Sequence, residues 1–282
     1  MRIITKISEM KGYAHKAKKN GKVIGFVPTM GSLHDGHVSL IKASQKESDI
    51  TIVSIFVNPK QFGKGEDLKK YPRNLARDLL ILKKEKIDVV FIPAEKEMYP
   101  EGYSTYVNVE GAITENLCAR SRPGHFKGVA TVVAKLFGIV SPCVSFFGQK
   151  DAQQAVVIKH MVKDLNMCVE IRVMPIIREK DGLAMSSRNT YLSEKERKEA
   201  LAIYASLKHA RTLLEKGERS AHVIKGEIKK VLLSGKHVKI DHIEVVDAEN
   251  LKPLKKVKND TLIAIAVHVG KTRLIDNMVI RT

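Results

Sequence analysis

The sequence predicts an α/β chain, a doubly wound Rossmann-like parallel sheet joined to a second, smaller α+β domain. Short, β-branched, almost wholly apolar runs recur up to Pro175, as in strands covered on both faces. Stretches of helical periodicity separate those runs. Beyond Pro175 the texture changes to charged amphipathic helices followed by alternating strands.

The first strand is expected over 23–27 (V-I-G-F-V) and the second over 50–57 (I-T-I-V-S-I-F-V). Leu75, Leu79 and Leu82 recur at i, i+4 and i+7, which predicts a helix ahead of a strand at 89–92. Val129, Val132, Val133, Leu136, Phe137 and Val140 line one helix face ahead of a strand at 144–147. A further helix after Asp151 leads to a strand at 169–173. Strand and helix alternate as parallel crossovers require, with right-handed connections the rule. The second domain should contain helices over 194–216 and 221–233 and strands over 240–246, 262–269 and 273–280. The expected domains are 1–176 and 177–282.

Composition narrows the class. The chain has 282 residues, 44% hydrophobic and 28% charged, enough for a sizeable core. Its 49 Lys and Arg against 31 Asp and Glu leave a formal charge of +18. The lysines fall in small groups along the whole chain, with no basic tail, RNP-type aromatic run or zinc-finger spacing, so nucleic acid is not an expected partner. Apolar stretches such as 262–267 fall far short of the roughly 20 residues that span a bilayer. Residues 1–10 lack a secretory apolar region, so a cytoplasmic protein with no membrane partner is expected. Cys118, Cys143 and Cys168 include no C-x-x-C pair and read as reduced, buried thiols.

The chemistry-bearing residues follow strand ends. Residues 27–41 (V-P-T-M-G-S-L-H-D-G-H-V-S-L-I) run from the first strand into a helix. Gly31 and Gly36 permit close backbone approach, and the start of the helix offers unpaired N–H groups to a phosphate. His34 and His37, three apart, can offer ring nitrogens from one side of that turn. Metal ligation would need a third ligand that no H-E-x-x-H or cysteine spacing supplies, so metal ligands stay unassigned. Residues 29–37, 58–61 and 148–151 each follow a predicted strand, and ligands of open α/β sheets collect at such strand ends. Gly148-Gln149-Lys150-Asp151 combines a small residue, a mobile cation and a carboxylate suited to a ribose or a helix N-cap; no Walker A or G-x-G-x-x-G pattern occurs. Met185-Ser186-Ser187-Arg188 gathers two hydroxyls and a guanidinium that suit a leaving pyrophosphate. Contexts for a nucleophilic serine are missing. Asn58-Pro59 reads as a strand-ending pair. Arg122-Pro123-Gly124-His125 reads as a rigid lead-in to a helix with no catalytic role.

The H-x-G-H of residues 34–37 resembles the signature of nucleotidyltransferases and class I aminoacyl-tRNA synthetases. With the surrounding P-T-M-G-S-L-H-D-G-H-V-S-L-I, the chain resembles the pantoate–β-alanine ligase family. Four further blocks match in order: 57–63 (V-N-P-K-Q-F-G) with 66–73, 122–130 (R-P-G-H-F-K-G-V-A), 147–154 (F-G-Q-K-D-A-Q-Q) and 181–189 (D-G-L-A-M-S-S-R-N). The resemblance implies ATP-dependent condensation of pantoate with β-alanine through pantoyl adenylate, releasing pyrophosphate and AMP. It implies Mg²⁺ with the ATP, and a homodimer.

On the same ground ATP would meet Met30, Gly31, Ser32, Leu33, His34, Asp35, Gly36 and His37, then Gly148, Gln149, Lys150 and Asp151, and finally Ile177, Met185, Ser186, Ser187 and Arg188. Gln61 and Gln154 would bind pantoate, Gln61 lying also near β-alanine. His37 is expected to be the principal phosphate donor, with His34 alongside and Lys150 and Arg188 neutralising charge. The family commonly has Glu where Gln149 stands; an amide still accepts hydrogen bonds, so ATP binding is expected to survive. The second domain is expected to act as a lid. Another nucleotidyltransferase acting on a different small acid or phosphate stays open, as does a non-catalytic RNA-binding relative.

Overall fold

Strands β1 (Arg2–Ile4), β2 (Ile24–Thr29), β3 (Ile50–Ile55), β4 (Val89–Phe91), β5 (Val144–Gly148) and β6 (Glu170–Met174) pair in parallel in the computed structural model, which describes residues 1–281. Their order in the sheet is β1-β4-β3-β2-β5-β6. Parallel neighbours need long crossovers. Helices α1 (Ile7–Lys19), α2 (Asp35–Glu47) and α3 (Leu75–Lys84) supply the first three connections. Short helices α4 (Glu95–Met98), α5 (Ala112–Glu115) and α6 (Cys118–Ser121) precede α7 (His125–Val140), which leads into β5; α8 (Ala152–Asp164) joins β5 to β6.

The apolar runs are buried because both sheet faces are covered. Val27, Val53, Val90 and Phe146 share a cluster with Leu40 and Ile41 of α2 and Leu82 of α3. From β2 the chain moves one way to β3 and β4, while β5 and β6 lie the other way. The loop after β2 therefore leaves the sheet at a topological switch point, the usual ligand crevice of such folds.

The periodicities in the sequence do not reveal β1 or α1. The first is only three residues, and α1 buries Met10 with two alanines, Ala14 and Ala17, whose small side chains give a faint hydropathy signal. The cysteines correct another expectation. All are free thiols, but Cys118 and Cys143 are half-buried and Cys168 is exposed, because each sits at or beside the edge of an element and not on an inward face.

The contacts divide the chain into two units. The sheet-bearing one comprises Met1–Val109, Arg122–Gly148 and Val157–Pro175. The other takes Glu110–Ser121, Gln149–Val156 and the chain from Ile176 onward. In that second unit, α9 (Glu194–Glu215) and α10 (Ala221–Leu232) accompany an antiparallel meander of β7 (Val238–Asp247), β8 (Thr261–Val269) and β9 (Thr272–Ile280). Ser193 and Glu196 cap the start of α9 reciprocally, and Ser220 caps α10. Ile203, Leu207 and Leu214 of α9 pack with Ile224 and Ile228 of α10 and Ile263, Ile265 and Val267 of β8. Among the described residues no helix is long and apolar enough to cross a membrane.

Candidate active site

The turn from β2 to α2 is held from within the protein. Thr29 Oγ1 donates to the Ser54 carbonyl at 2.7 Å and accepts the Gly31 N–H at 3.2 Å. Gly31 and Ser32 both take positive φ, 78° and 52°, a region costly for serine. The carboxylate of Asp78, from the first turn of α3, offsets that cost: its two oxygens accept the N–H groups of Ser32 and Leu33, each at 2.8 Å. A Cβ on Gly31 would lie 3.0 Å from the same carboxylate.

His34 is the N-cap of α2, with Nδ1 accepting the Gly36 N–H at 3.1 Å. The His34 N–H in turn donates to Nδ1 of His37 at 3.3 Å. The two rings lie 4.1 Å apart between centroids. A neutral imidazole that accepts at Nδ1 carries its proton on Nε2, so both rings are set as Nε2–H donors. This revises one expectation. The amides of Ser32, Leu33, His34 and Gly36 already have protein acceptors, so this turn does not present a row of unpaired amides.

Gln61 ends a 3-10 turn, Pro59–Gln61, beyond β3. Asn58 before it is 1% exposed, and its side chain does far more than end a strand. Its Oδ1 accepts the Lys60 N–H at 3.3 Å and the Tyr99 hydroxyl at 2.8 Å; its Nδ2 donates to the Gly128 carbonyl at 3.1 Å and to Gln61 Oε1 at 3.0 Å. The backbone partners fix which end of this amide is which. With Oε1 engaged by Asn58, Gln61 keeps its Nε2 as a donor, 3.2 Å from the sulfur of Met30.

The Gln61 carbonyl is anchored as well, by Nδ1 of His125 at 2.7 Å. Arg122 lies 2.9 Å from Nε2 of that ring and grips Glu66 in a two-pronged pair at 2.8 and 2.6 Å. Burial pushes the Glu66 carboxyl up, but the Arg122 guanidinium outweighs it and holds the group below the usual range. Gly128 packs so closely that an added Cβ would collide with the Lys60 carbonyl.

The remaining predicted residues, apart from Gly148 at the end of β5, belong to the second unit. Gln149, Lys150 and Asp151 form a 3-10 turn. Gln154 is half-buried, whereas the adjacent Gln153 is spent internally, donating to the Ile113 and Asn116 carbonyls, each at 2.8 Å. The Met185 N–H donates to the Ile177 carbonyl at 3.0 Å, and Ser186 Oγ accepts the Arg188 N–H at 3.2 Å. Ile177, Met185, Ser186, Ser187 and Arg188 are all half-buried, on a segment closed by Asn189 donating to the Ala184 carbonyl at 3.1 Å.

Met30, His34, His37 and Gln61 therefore share one unit, and Lys150, Gln154 and Arg188 share the other. The roles of Asp78 and Tyr99, and the ties of Asn58 to Tyr99 and Gly128, leave no signal in the sequence because those partners are remote in the chain. Among the described residues no group of three or more His, Cys, Asp or Glu side chains is arranged to hold a metal ion.

A family model described as pantoate-beta-alanine ligase matches residues 2–279. The pantothenate synthetase of Thermosipho africanus is 56% identical over 280 residues, covering 99% of this chain and 100% of the relative. That of Caldicellulosiruptor saccharolyticus is also 56% identical, with 99% of each covered. The crystal structure of pantothenate synthetase from Thermus thermophilus matches with a TM-score of 0.95 at 39% identity, over 100% of both chains. The pantoate-beta-alanine ligase of Francisella tularensis, solved with beta-gamma ATP and beta-alanine, matches with a TM-score of 0.82 at 36% identity, over 99% of this chain and 97% of that one.

Proposed function

The chain belongs to the pantoate–β-alanine ligase family, and from that premise we propose how its own side chains carry out the family's reaction. The enzyme forms pantothenate from pantoate and β-alanine, with ATP as a substrate. A carboxylate is a poor acylating agent, so a pantoate oxygen first attacks the α-phosphorus of ATP, and pyrophosphate leaves. The β-alanine amine then attacks the acyl carbon of pantoyl adenylate, AMP departs with the bonding pair, and the amine proton is lost. Neither step needs a covalent link to the protein, whose contribution is alignment and charge stabilisation.

The observation that carries this reading is the mutual capping of His34 and His37, which turns both rings into Nε2–H donors at the start of α2. Donors already oriented need no rearrangement as charge builds on the phosphates. No proton moves in the adenylation step, so His37 acts there as a hydrogen-bond donor. Lys150 and Arg188 neutralise the triphosphate, with Ser186 and Ser187 as further donors. Gln61, with its amide polarity set by Asn58, donates to pantoate oxygens, and Gln154 is the second pantoate contact.

Mg²⁺ would accompany ATP, bound mostly by phosphate oxygens and water as is usual for that ion, and would share the neutralising of the triphosphate with Lys150 and Arg188. The sheet-bearing unit, which holds most of residues 1–176, contributes the histidine turn and Gln61 to nucleotide and pantoate binding, and the unit that takes 177–282 together with 149–156 contributes Lys150, Gln154 and Arg188 and acts as a lid. The enzyme works as a cytoplasmic homodimer. A coupled assay tests the reaction: pyrophosphate release should depend on pantoate, and AMP should form on adding β-alanine. Formation of ADP, or turnover indifferent to pantoate, would reject the reading.

A further inference from the structure

Asp276 and Asn277 are neighbours on β9, and they are 3% and 4% exposed. Polar side chains so deeply placed need a full set of partners to offset their desolvation. Their partners belong to the two segments of this unit assigned above to ATP. Asn277 Nδ2 donates to the carbonyl oxygens of Gln149 at 2.9 Å and Lys150 at 3.0 Å, while its Oδ1 accepts from Gln149 Nε2 at 3.0 Å. Both hydrogens of the amide are committed, so it cannot rotate without releasing the turn that carries Lys150.

Asp276 serves the other segment. Its two oxygens take the Arg178 guanidinium as a fork, at 2.6 and 3.0 Å, and Oδ1 also accepts the Asn277 N–H at 2.8 Å. Arg178 lies 3.8 Å over the Tyr204 ring and donates to the Gly182 carbonyl at 3.1 Å. The guanidinium thus fixes the bend between Ile177 and Met185, just ahead of Ser186, Ser187 and Arg188. Successive side chains leave a strand on opposite sides, which lets two neighbours serve two loops.

We propose that Asp276 and Asn277 are a positioning pair for adenylation: Asn277 holds the Lys150 turn, Asp276 acting through Arg178 holds the Ser186–Arg188 segment, and one stretch of β9 sets the spacing of the groups that receive the triphosphate. The proposal rests on the assignment of Lys150 and Ser186 to Arg188 to ATP.

Pantoate-dependent exchange of labelled pyrophosphate into ATP, measured on the full chain, tests it. Asn277→Asp keeps the shape and the acceptor for Gln149 but sets an acceptor against two carbonyls. The loss of two hydrogen bonds should raise the KM for ATP roughly tenfold and slow exchange, with the KM for pantoate essentially unchanged. Asn277→Ser, which keeps one donor, should fall between. A folded Asn277→Asp enzyme with wild-type KM for ATP, or one whose KM values for ATP and pantoate rise together, overturns the proposal. If the aspartate variant does not unfold cooperatively, Asp276→Asn takes its place; it weakens the fork on Arg178 and should raise the KM for ATP about threefold with the KM for pantoate unchanged, and an unchanged KM for ATP overturns the proposal. Failure of the unsubstituted enzyme to exchange pyrophosphate would instead overturn the reading beneath it.

Discussion

The hydroxyl of Tyr99 donates to the amide oxygen of Asn58 at 2.8 Å, in a buried site where Asn58 also binds Gln61. Burial, helped by the neighbouring Tyr103 and Tyr106, pushes ionisation of this phenol well above the ordinary tyrosine range. It therefore stays a protonated donor at working pH, in keeping with the Asn58 polarity that the Lys60 N–H and the Gly128 carbonyl fix.

Tyr99→Phe leaves Asn58 Oδ1 with only the longer Lys60 N–H, at 3.3 Å. The loss of one buried hydrogen bond of about 1 kcal/mol should loosen Gln61. The KM for pantoate should rise several-fold while that for ATP holds, as read from steady-state kinetics with each substrate varied in turn.

His37→Ala removes the oriented donor and should lower pantoate-dependent pyrophosphate release by roughly 10²-fold or more. It also deletes a cap on α2, which costs about 1 kcal/mol. Thermal melting should show a small decrease beside the large kinetic one, and near-normal turnover would remove His37 from the mechanism.

Gly128→Ala places a methyl group against the Lys60 carbonyl, a backbone atom that cannot swing aside. The overpacking should cost about 1–3 kcal/mol, measurable by urea unfolding. Because the Gly128 carbonyl also holds Asn58, the KM for pantoate should rise in the same variant.

Stability should fall on mild acidification because of His242 on β7. Its side chain is 11% exposed, and burial brings its pKa down to about 4; Arg273 and Arg120 push the same way, while Asp241 and Glu244 oppose. An unfolded histidine titrates near ~6.5, so between there and about 4 the unfolded chain holds more protons than the native one. Native stability is intact above that window, declines as pH falls through it, and has lost about 3 kcal/mol below it. Urea unfolding at pH 7 and pH 5 should differ clearly for the native chain. The difference should shrink in His242→Gln; an unchanged difference would acquit His242.

Much of the fold is legible in the residues because burial imposes a period. The runs at 23–27 and 50–57 are β2 and β3, and the stripe from Val129 to Val140 lies on α7. The pair of histidines is legible for the same kind of reason: capping joins residues two and three apart, so His34, Gly36 and His37 carry their geometry in their spacing. Other parts are silent. An aspartate in the first turn of α3 looks like any acid favoured there, and nothing near Asp78 announces that it clamps Ser32 and Leu33.

The amino-acid sequence by itself determined the layered α/β architecture and the family, and it marks the loops proposed here to receive the phosphates, since periodicity and turn chemistry act over a few residues. Tertiary structure alone decided how those groups are held. Asn58 meets Tyr99 across 41 positions and Asn277 meets Gln149 across 128. Such partners are chosen by packing, which brings remote backbone groups together and obliges each buried donor or acceptor to be satisfied there.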